Sequence, residues 1–429
     1  MPDYKKKRVN RFKPAPRRKR ALPTDEDIKM TPSDKRRKKS EKPEEAPTAE
    51  IPLRVVNGKK LERRRKTKIF VSAALILALI LTVFQLVLPA GITENAENLI
   101  SLIGKGSYPI SLESTETQSA VTRGSYYYVL TDTRLNAFAN GGKEIYSHSH
   151  GFENPVMKTS STRALVFDQG GTEAYIYNLH ELKSSVKTDS EIINAAVSDS
   201  GVYAVVTRSE SYASVVTVYS KRGKKIYTWY SSADTVNNVA IAPNGKKIAV
   251  TVFNSSNGKF VSKISILNFD SANPISSVDV DGGPVITLNS FHRTGFIAAT
   301  ENKLYFINWS GKNNTEYKND YTLSRLSSGT GGTVAVFNRE NDRADNRIVL
   351  FGTNGQLKKE FEFKGTIGDI AVSGGHIYCI SDTEVFLYGS DGKLLRKAEC
   401  GFGGVKIAPL GRTHAAVITD NRIDKIQFE

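Results

Sequence analysis

Two hydrophobic patterns divide the chain. The first is a single unbroken run, Ile69 to Leu88, IFVSAALILALILTVFQLVL, twenty residues without a charge. A helix needs about twenty such residues to cross a hydrocarbon core, so the run reads as one membrane span. The second pattern fills residues 108–429 and is short, alternating and repetitive. A short apolar strand ends in a polar turn, a strongly β-type strand follows, and a third strand passes through a Gly-centred turn into a fourth. The clearest copy is VAIAPNGKKIAVTVF at Val239 to Phe253, continued by SKISILNF at Ser262 to Phe269. The inner turn and second strand recur from Met157, Ala195, Leu288, Leu326, Ala371 and Ala408, and Ser125 begins a further second strand.

The outer half of the unit is as regular. RLNAFANGGKEIYSH from Arg134, VVTVYSKRGKKIYTWY from Val215, KLYFINWSGKNNTEY from Lys303, RIVLFGTNGQLKKEFEF from Arg347 and EVFLYGSDGKLLRKAE from Glu384 each place a glycine between alternating apolar runs. Glycine adopts positive φ without strain, so these are hairpin signals. Each unit reads as a four-stranded antiparallel meander. First strands are expected near Gln118, Glu153, Ile192, Val236, Pro284, Thr322, Ile367 and Gly403. A spacing of about forty residues is the period of propeller blades, so the expectation is an all-β propeller of eight blades, with seven as the alternative. The last unit lacks an outer strand, while Ser107 to Glu113, SYPISLE, is a strand without a unit. Pairing the two closes the ring and removes its open edges.

Between the two patterns, residues 89–107 read as a linker with room for a helical turn or two around Glu94 to Ile103 before glycines interrupt it. Residues 1–68 carry almost no large apolar side chains and scattered prolines, a composition that cannot repay the entropy of ordering and is expected to be disordered.

Charge sharpens the topology. The net charge is +16, but residues 1–68 hold 25 Lys and Arg against 10 Asp and Glu, and the remaining 361 residues are nearly balanced at 35 against 34. Lys59, Lys60, Arg63, Arg64, Arg65, Lys66 and Lys68 crowd the N-terminal side of the span. Positive flanks stay inside, so the tail is expected in the cytoplasm and the C-terminal part outside. A secretory signal has a shorter apolar core and a small-residue cleavage site, whereas Leu88-Pro89-Ala90 presents a bulky Leu, so an uncleaved signal anchor is expected. The basic runs, Lys35 to Lys39 among them, suit anionic lipid headgroups. With Tyr4 and Phe12 isolated, no aromatic platform is interleaved for nucleic acid, which argues against that partner.

Candidate chemistry is sparse. Cys379 and Cys400 are the only cysteines, no disulfide framework, and their bridging is left open. No Gly-x-Ser-x-Gly elbow is present, which argues against a serine hydrolase. Trp229 and Trp309 are the only tryptophans, too few for the blade-by-blade tryptophans of quinoprotein dehydrogenases, and there are no adjacent cysteines. His148 and His150 share one strand face at a spacing a metal site uses, but no third ligand lies nearby in sequence, and a solvated outer edge strand is the expectation. His180, His292, His376 and His414 read as hydrogen-bonded structural groups. Tyr126, Tyr127, Tyr128, Phe167, Phe253, Phe306, Phe337 and Phe386 fall on second and third strands and are expected to fill the space between blades. Asn254, Asn308 and Asn313 begin glycosylation acceptors, relevant only in a eukaryotic secretory pathway.

The turn and strand Ala242-Pro243-Asn244-Gly245-Lys246-Lys247-Ile248-Ala249 resemble the repeat of TolB-type and WD40-like propellers. The layout of basic tail, single span and propeller resembles an uncharacterised family of Gram-positive bacterial membrane proteins built on a domain of unknown function. That resemblance implies the fold and residence in a membrane, and no activity. The expectation is therefore a non-enzymatic, single-pass cell-membrane protein with no cofactor, whose extracytoplasmic propeller binds a protein, peptide or envelope polymer. A small-molecule or cofactor site in the central channel, as in a propeller enzyme or sensor, is the alternative.

Overall fold

A computed structural model of the protein describes residues 69–72, 75–76, 97–114, 116–256, 259–291, 294–312, 314–401 and 403–428. It divides into two compact units, residues 1–79 and 80–429. In the first unit, residues 69–72 and 75–76 are helical. The basic tail of residues 1–68 and the remainder of the expected span lie outside the described residues. No helix among the described residues is long and apolar enough to cross a membrane.

The second unit is an eight-bladed ring of four-stranded antiparallel sheets. The innermost strands are Thr117–Arg123, Pro155–Thr159, Ile192–Val197, Thr235–Ile241, Thr287–Phe291, Thr322–Gly329, Ile367–Ser373 and Lys406–Pro409, and they define blades I to VIII. Their starts fall within three residues of those expected from the repeat, which settles eight blades over seven.

Local chemistry explains the meander. Gly142, Gly223, Gly311, Gly355 and Gly392 each close a turn between third and fourth strands at φ of 72–86°, their N–H groups reaching the carbonyls of Ala139, Ser220, Asn308, Gly352 and Gly389. A left-handed residue after a type I turn is what a three-residue hairpin requires. Gly355 has a second constraint, since a Cβ there would stand 2.6 Å from the Phe306 ring.

Ring closure uses the orphan strand anticipated above. Ile110–Ser111 becomes the fourth strand of blade VIII, pairing Ile110 with Ile423 and Ser111 with Arg422. The Leu112 N–H then bonds the Asn421 carbonyl at 2.7 Å, and the Thr117 N–H bonds the Asp420 carboxylate at 3.1 Å. Blade VIII is thus built from both ends of the domain and gains the fourth strand its own repeat lacks.

The blades are joined by eight apolar clusters, one at each interface. Seven of the eight aromatics expected there are there: Tyr127, Tyr128, Phe167, Phe306 and Phe337 are buried and Tyr126 and Phe386 partly so, while Phe253 is half-buried and belongs to none of these clusters. Full burial of such a side chain contributes roughly 1.5–3 kcal/mol, which makes these interfaces the main source of stability. Cys379 packs between blades VI and VII and Cys400 between VII and VIII, so the sheet of blade VII separates them, and both thiols are free.

Residues 97–101 form the short helix expected within the linker. The Lys143 ammonium, on the outer turn of blade I, donates to the Ser101 and Ile103 carbonyls at 2.8 and 2.6 Å. His180, on the outer turn of blade II, meets Asn98 at 3.1 Å. Strand direction alternates within a blade, so these turns share a face with the turns that follow the innermost strands. The chain enters the ring from that face.

Candidate functional site: the central channel

The innermost strands of all eight blades enclose a channel with a cavity of about 360 Å³. It opens into a mouth of about 560 Å³ bordered by Ser161, Asp199, Pro243, Thr294 and Thr330, on the face where the chain enters. Five charged residues line the channel: Arg123, Lys158, Arg325, Asp369 and Lys406. Four cations against one carboxylate make its interior positive.

A feature of the backbone places most of the polar groups. In blades I, III, IV, VI and VII the innermost strand carries a register shift near its start, at 117/119, 192/194, 236/238, 323/325 and 367/369. A bulge of this kind bends the strand and re-aims the side chain beside it. The residues after the shift are Ser119, Asn194, Asn238, Arg325 and Asp369, all polar.

Four of them reach the next blade. Asn194 donates to the Asn237 carbonyl and the Asn238 side chain at 3.1 and 3.0 Å. Asn238 donates to the Val285 carbonyl at 3.0 Å. Arg325 holds the Gly368 carbonyl with Nε and Nη2 at 3.3 and 3.1 Å. Asp369 accepts from the Ile407 N–H at 2.9 Å. Burial raises the Asp369 carboxyl above its usual range, against the lowering pull of that hydrogen bond and of the Lys406 and Arg325 charges. These side chains are latches between neighbouring innermost strands.

Ser119 is too short to act as one, and its Oγ is buried without a partner. At that junction the role passes to Arg123 at the other end of the strand. Its Nε donates to the Ser160 carbonyl at 2.9 Å, and Nη2 meets both the carbonyl and the hydroxyl of Thr159. Arg123 therefore ties blade I to blade II.

Lys158 has no such role. It is half-buried in the channel wall, and no hydrogen bond or ion pair reaches its ammonium among the described residues. Burial alone lowers its pKa from the ordinary lysine value. Sequence patterning gave no signal for it, because its level in the ring emerges only from the strand pairing. The same holds for Arg123, Arg325, Asp369 and Lys406.

The histidines divide differently. His148 lies on an outer strand as expected, with Nδ1 3.0 Å from the Tyr177 hydroxyl. His150 corrects the reading of a solvated edge: it is buried, its Nε2 3.2 Å from the Thr131 carbonyl while Nδ1 accepts the Phe152 N–H at 3.0 Å. Both ring nitrogens of His150 are thereby occupied by the backbone, so the pair is not a ligand set. His376 and His414 make local hydrogen bonds to Gly374 and Thr413, and His292 lies outside the described residues. Sequence separation hid one grouping: Glu97, His180 and Glu181 converge within 4.8 Å. Lys183 is ion-paired to Glu181, and His180 is 3.5 Å from each carboxylate, so the group reads as a charge network pinning the short helix to blade II.

Comparison with solved structures bears on the fold. The C-terminal WD40 domain of Sif2 superposes with a TM-score of 0.53 at 11% identity, over 76% of this chain and 100% of that one. The Dos1 propeller gives 0.50 at 10% identity, over 76% and 95%. BamB from Moraxella catarrhalis gives 0.48 at 12% identity, over 76% and 100%. Likeness to the first two shows a propeller fold and nothing more specific. A comparison with curated proteins gives no significant match. One family model, itself of unknown function, matches residues 106–428.

Proposed function

The chain belongs to DUF5711, a family of unknown function, through residues 106–428, and from that premise we propose a membrane-tethered binding scaffold. In this reading Ile69 to Leu88 is a single span, the basic tail lies in the cytoplasm against anionic lipid headgroups, and the propeller lies outside the cell. The uncharged run and its basic N-terminal flank support the tether and its direction. The observation that carries the scaffold reading is the closed ring itself, a rigid frame that presents its turns and channel mouth on one face. Rigid frames with variable loops are how propellers bind partners of many kinds. The partner is a protein, peptide or envelope polymer that contacts the mouth.

The test uses the full chain in intact cells. A photo-crosslinking residue replacing Ser161 or Thr330 at the mouth is expected to give discrete adducts, and one replacing Lys225 on an outer strand is expected to give none. Protease added to intact cells is expected to remove the propeller. Protection until the cells are permeabilised would sink the topology, and equal crosslinking from both positions would sink the choice of face.

A further inference from the structure

After the latches are accounted for, two channel cations make no hydrogen bond or ion pair among the described residues, Lys158 and Lys406, and only Lys406 has a channel carboxylate, Asp369, acting on it. Counted by pairing with the second strand, from the pair that flanks the bulge, Lys158 occupies the level held by Val121, Ala196, Ala240, Ser327 and Ala371 in the bulged blades. All five of those are uncharged, and four are small. A long cation therefore projects from a ring of short side chains that border the 360 Å³ cavity.

Three of the other charged groups that line this channel are committed to the backbone. Arg123 and Arg325 are committed to backbone carbonyls, and Asp369 to the Ile407 N–H. Lys406 is coupled electrostatically to Asp369. Lys158 keeps its three donors free at the channel wall, where half-burial makes an unpaired ammonium costlier to hold than in open water. That cost is relieved when an anion supplies the missing acceptors, and the surplus of positive charge in the channel favours the same ligand.

We propose that the channel binds a small oxyanion, a phosphate- or carboxylate-bearing solute that fits about 360 Å³, with its acid group on the Lys158 ammonium. The mouth bordered by Asp199 and Thr330 is its route in. Arg325 adds long-range attraction without giving up its contact to Gly368, and Lys406 adds the same across the channel. This inference rests on the channel geometry and not on the membrane placement or the crosslinking partner, so either can fail without the other.

The experiment is thermal unfolding of the detergent-purified full chain, titrated with sodium phosphate, sodium sulfate and sodium citrate, each against sodium chloride at equal ionic strength. At least one oxyanion is expected to raise the midpoint saturably. Lys158→Met is expected to weaken that response at least tenfold in concentration, Lys158→Gln to do the same, and Lys158→Arg to retain it. Lys221→Met, at an exposed turn, is the control and is expected to respond as the natural chain does. No saturable response to any of the three anions overturns the proposal. So does an unchanged response in Lys158→Met and Lys158→Gln, or an equal loss in Lys221→Met.

Discussion

Blades III and IV are joined differently from blades I and II, and the difference explains most of the channel. At the first junction a bulge turns Asn194 toward Asn238, whose amide goes on to the Val285 carbonyl of the approach to blade V. At the second, the equivalent residue is Ser119, which reaches nothing, and Arg123 spans the gap from the far end of its strand. Polar residues in the channel are thus first a means of joining blades. A polar channel is weak evidence for a ligand until the latches have been subtracted.

Substitutions at four positions break or sharpen that contrast. Asn238→Ala removes one of two amide donors at the Val285 carbonyl and one of two acceptors of the Asn194 amide, leaving the Asn237 contacts, and a loss of about 2–3 kcal/mol is expected in denaturant unfolding. Arg123→Ala frees the Ser160 and Thr159 carbonyls at the other junction and is expected to cost about 2 kcal/mol. Arg123→Lys should restore little of it, because one ammonium cannot reproduce the guanidinium fork.

Asp369→Asn is expected to act through charge. Burial raises the folded carboxyl above the ordinary aspartate value of 3.8, so the folded state holds its proton more tightly than the unfolded chain does. Stability from this group is fully present below pH 3.8 and is lost as pH rises through the higher folded value. Asp369→Asn keeps an acceptor oxygen for the Ile407 N–H and removes the ionisation. Its midpoint at neutral pH should rise by roughly 1–2 °C, with the slope of stability against pH flattened in that window. A fall at neutral pH would show that the carboxylate charge is itself a needed part of the latch. Smallest of all, Ser119→Ala removes a hydroxyl with no partner and is expected to stay within about 0.5 kcal/mol of the natural chain.

Much of the fold was legible because propeller repeats announce themselves locally. The glycine in each outer turn and the alternation in each strand are short-range signals, and they located all eight innermost strands. The closing strand was legible for a different reason: the last unit was one strand short and Ser107 to Glu113 was one strand over. The channel was not legible. Its key residues lie on seven innermost strands, with Arg123 and Lys406 about 280 positions apart, and nothing in the period marks a bulge. Lys158 sits in MKTSSTR, a polar segment in which a lysine draws no attention, and only strand pairing shows that its counterparts are uncharged. His150 was misjudged because the chain turns inward just past the outer strand, which hides the second imidazole while the first stays near the surface.

The division between latches and a lone cation is tested most directly by one side-by-side measurement. Unfolding midpoints of the full chain, Arg123→Ala, Arg325→Ala and Lys158→Met are compared in a chloride buffer free of oxyanions. The two arginine variants should fall, and Lys158→Met should match or exceed the natural chain, because it removes an unpaired, half-buried ammonium while keeping an apolar stem. A drop in Lys158→Met as large as that in Arg123→Ala would contradict the account, since it would make Lys158 one more latch.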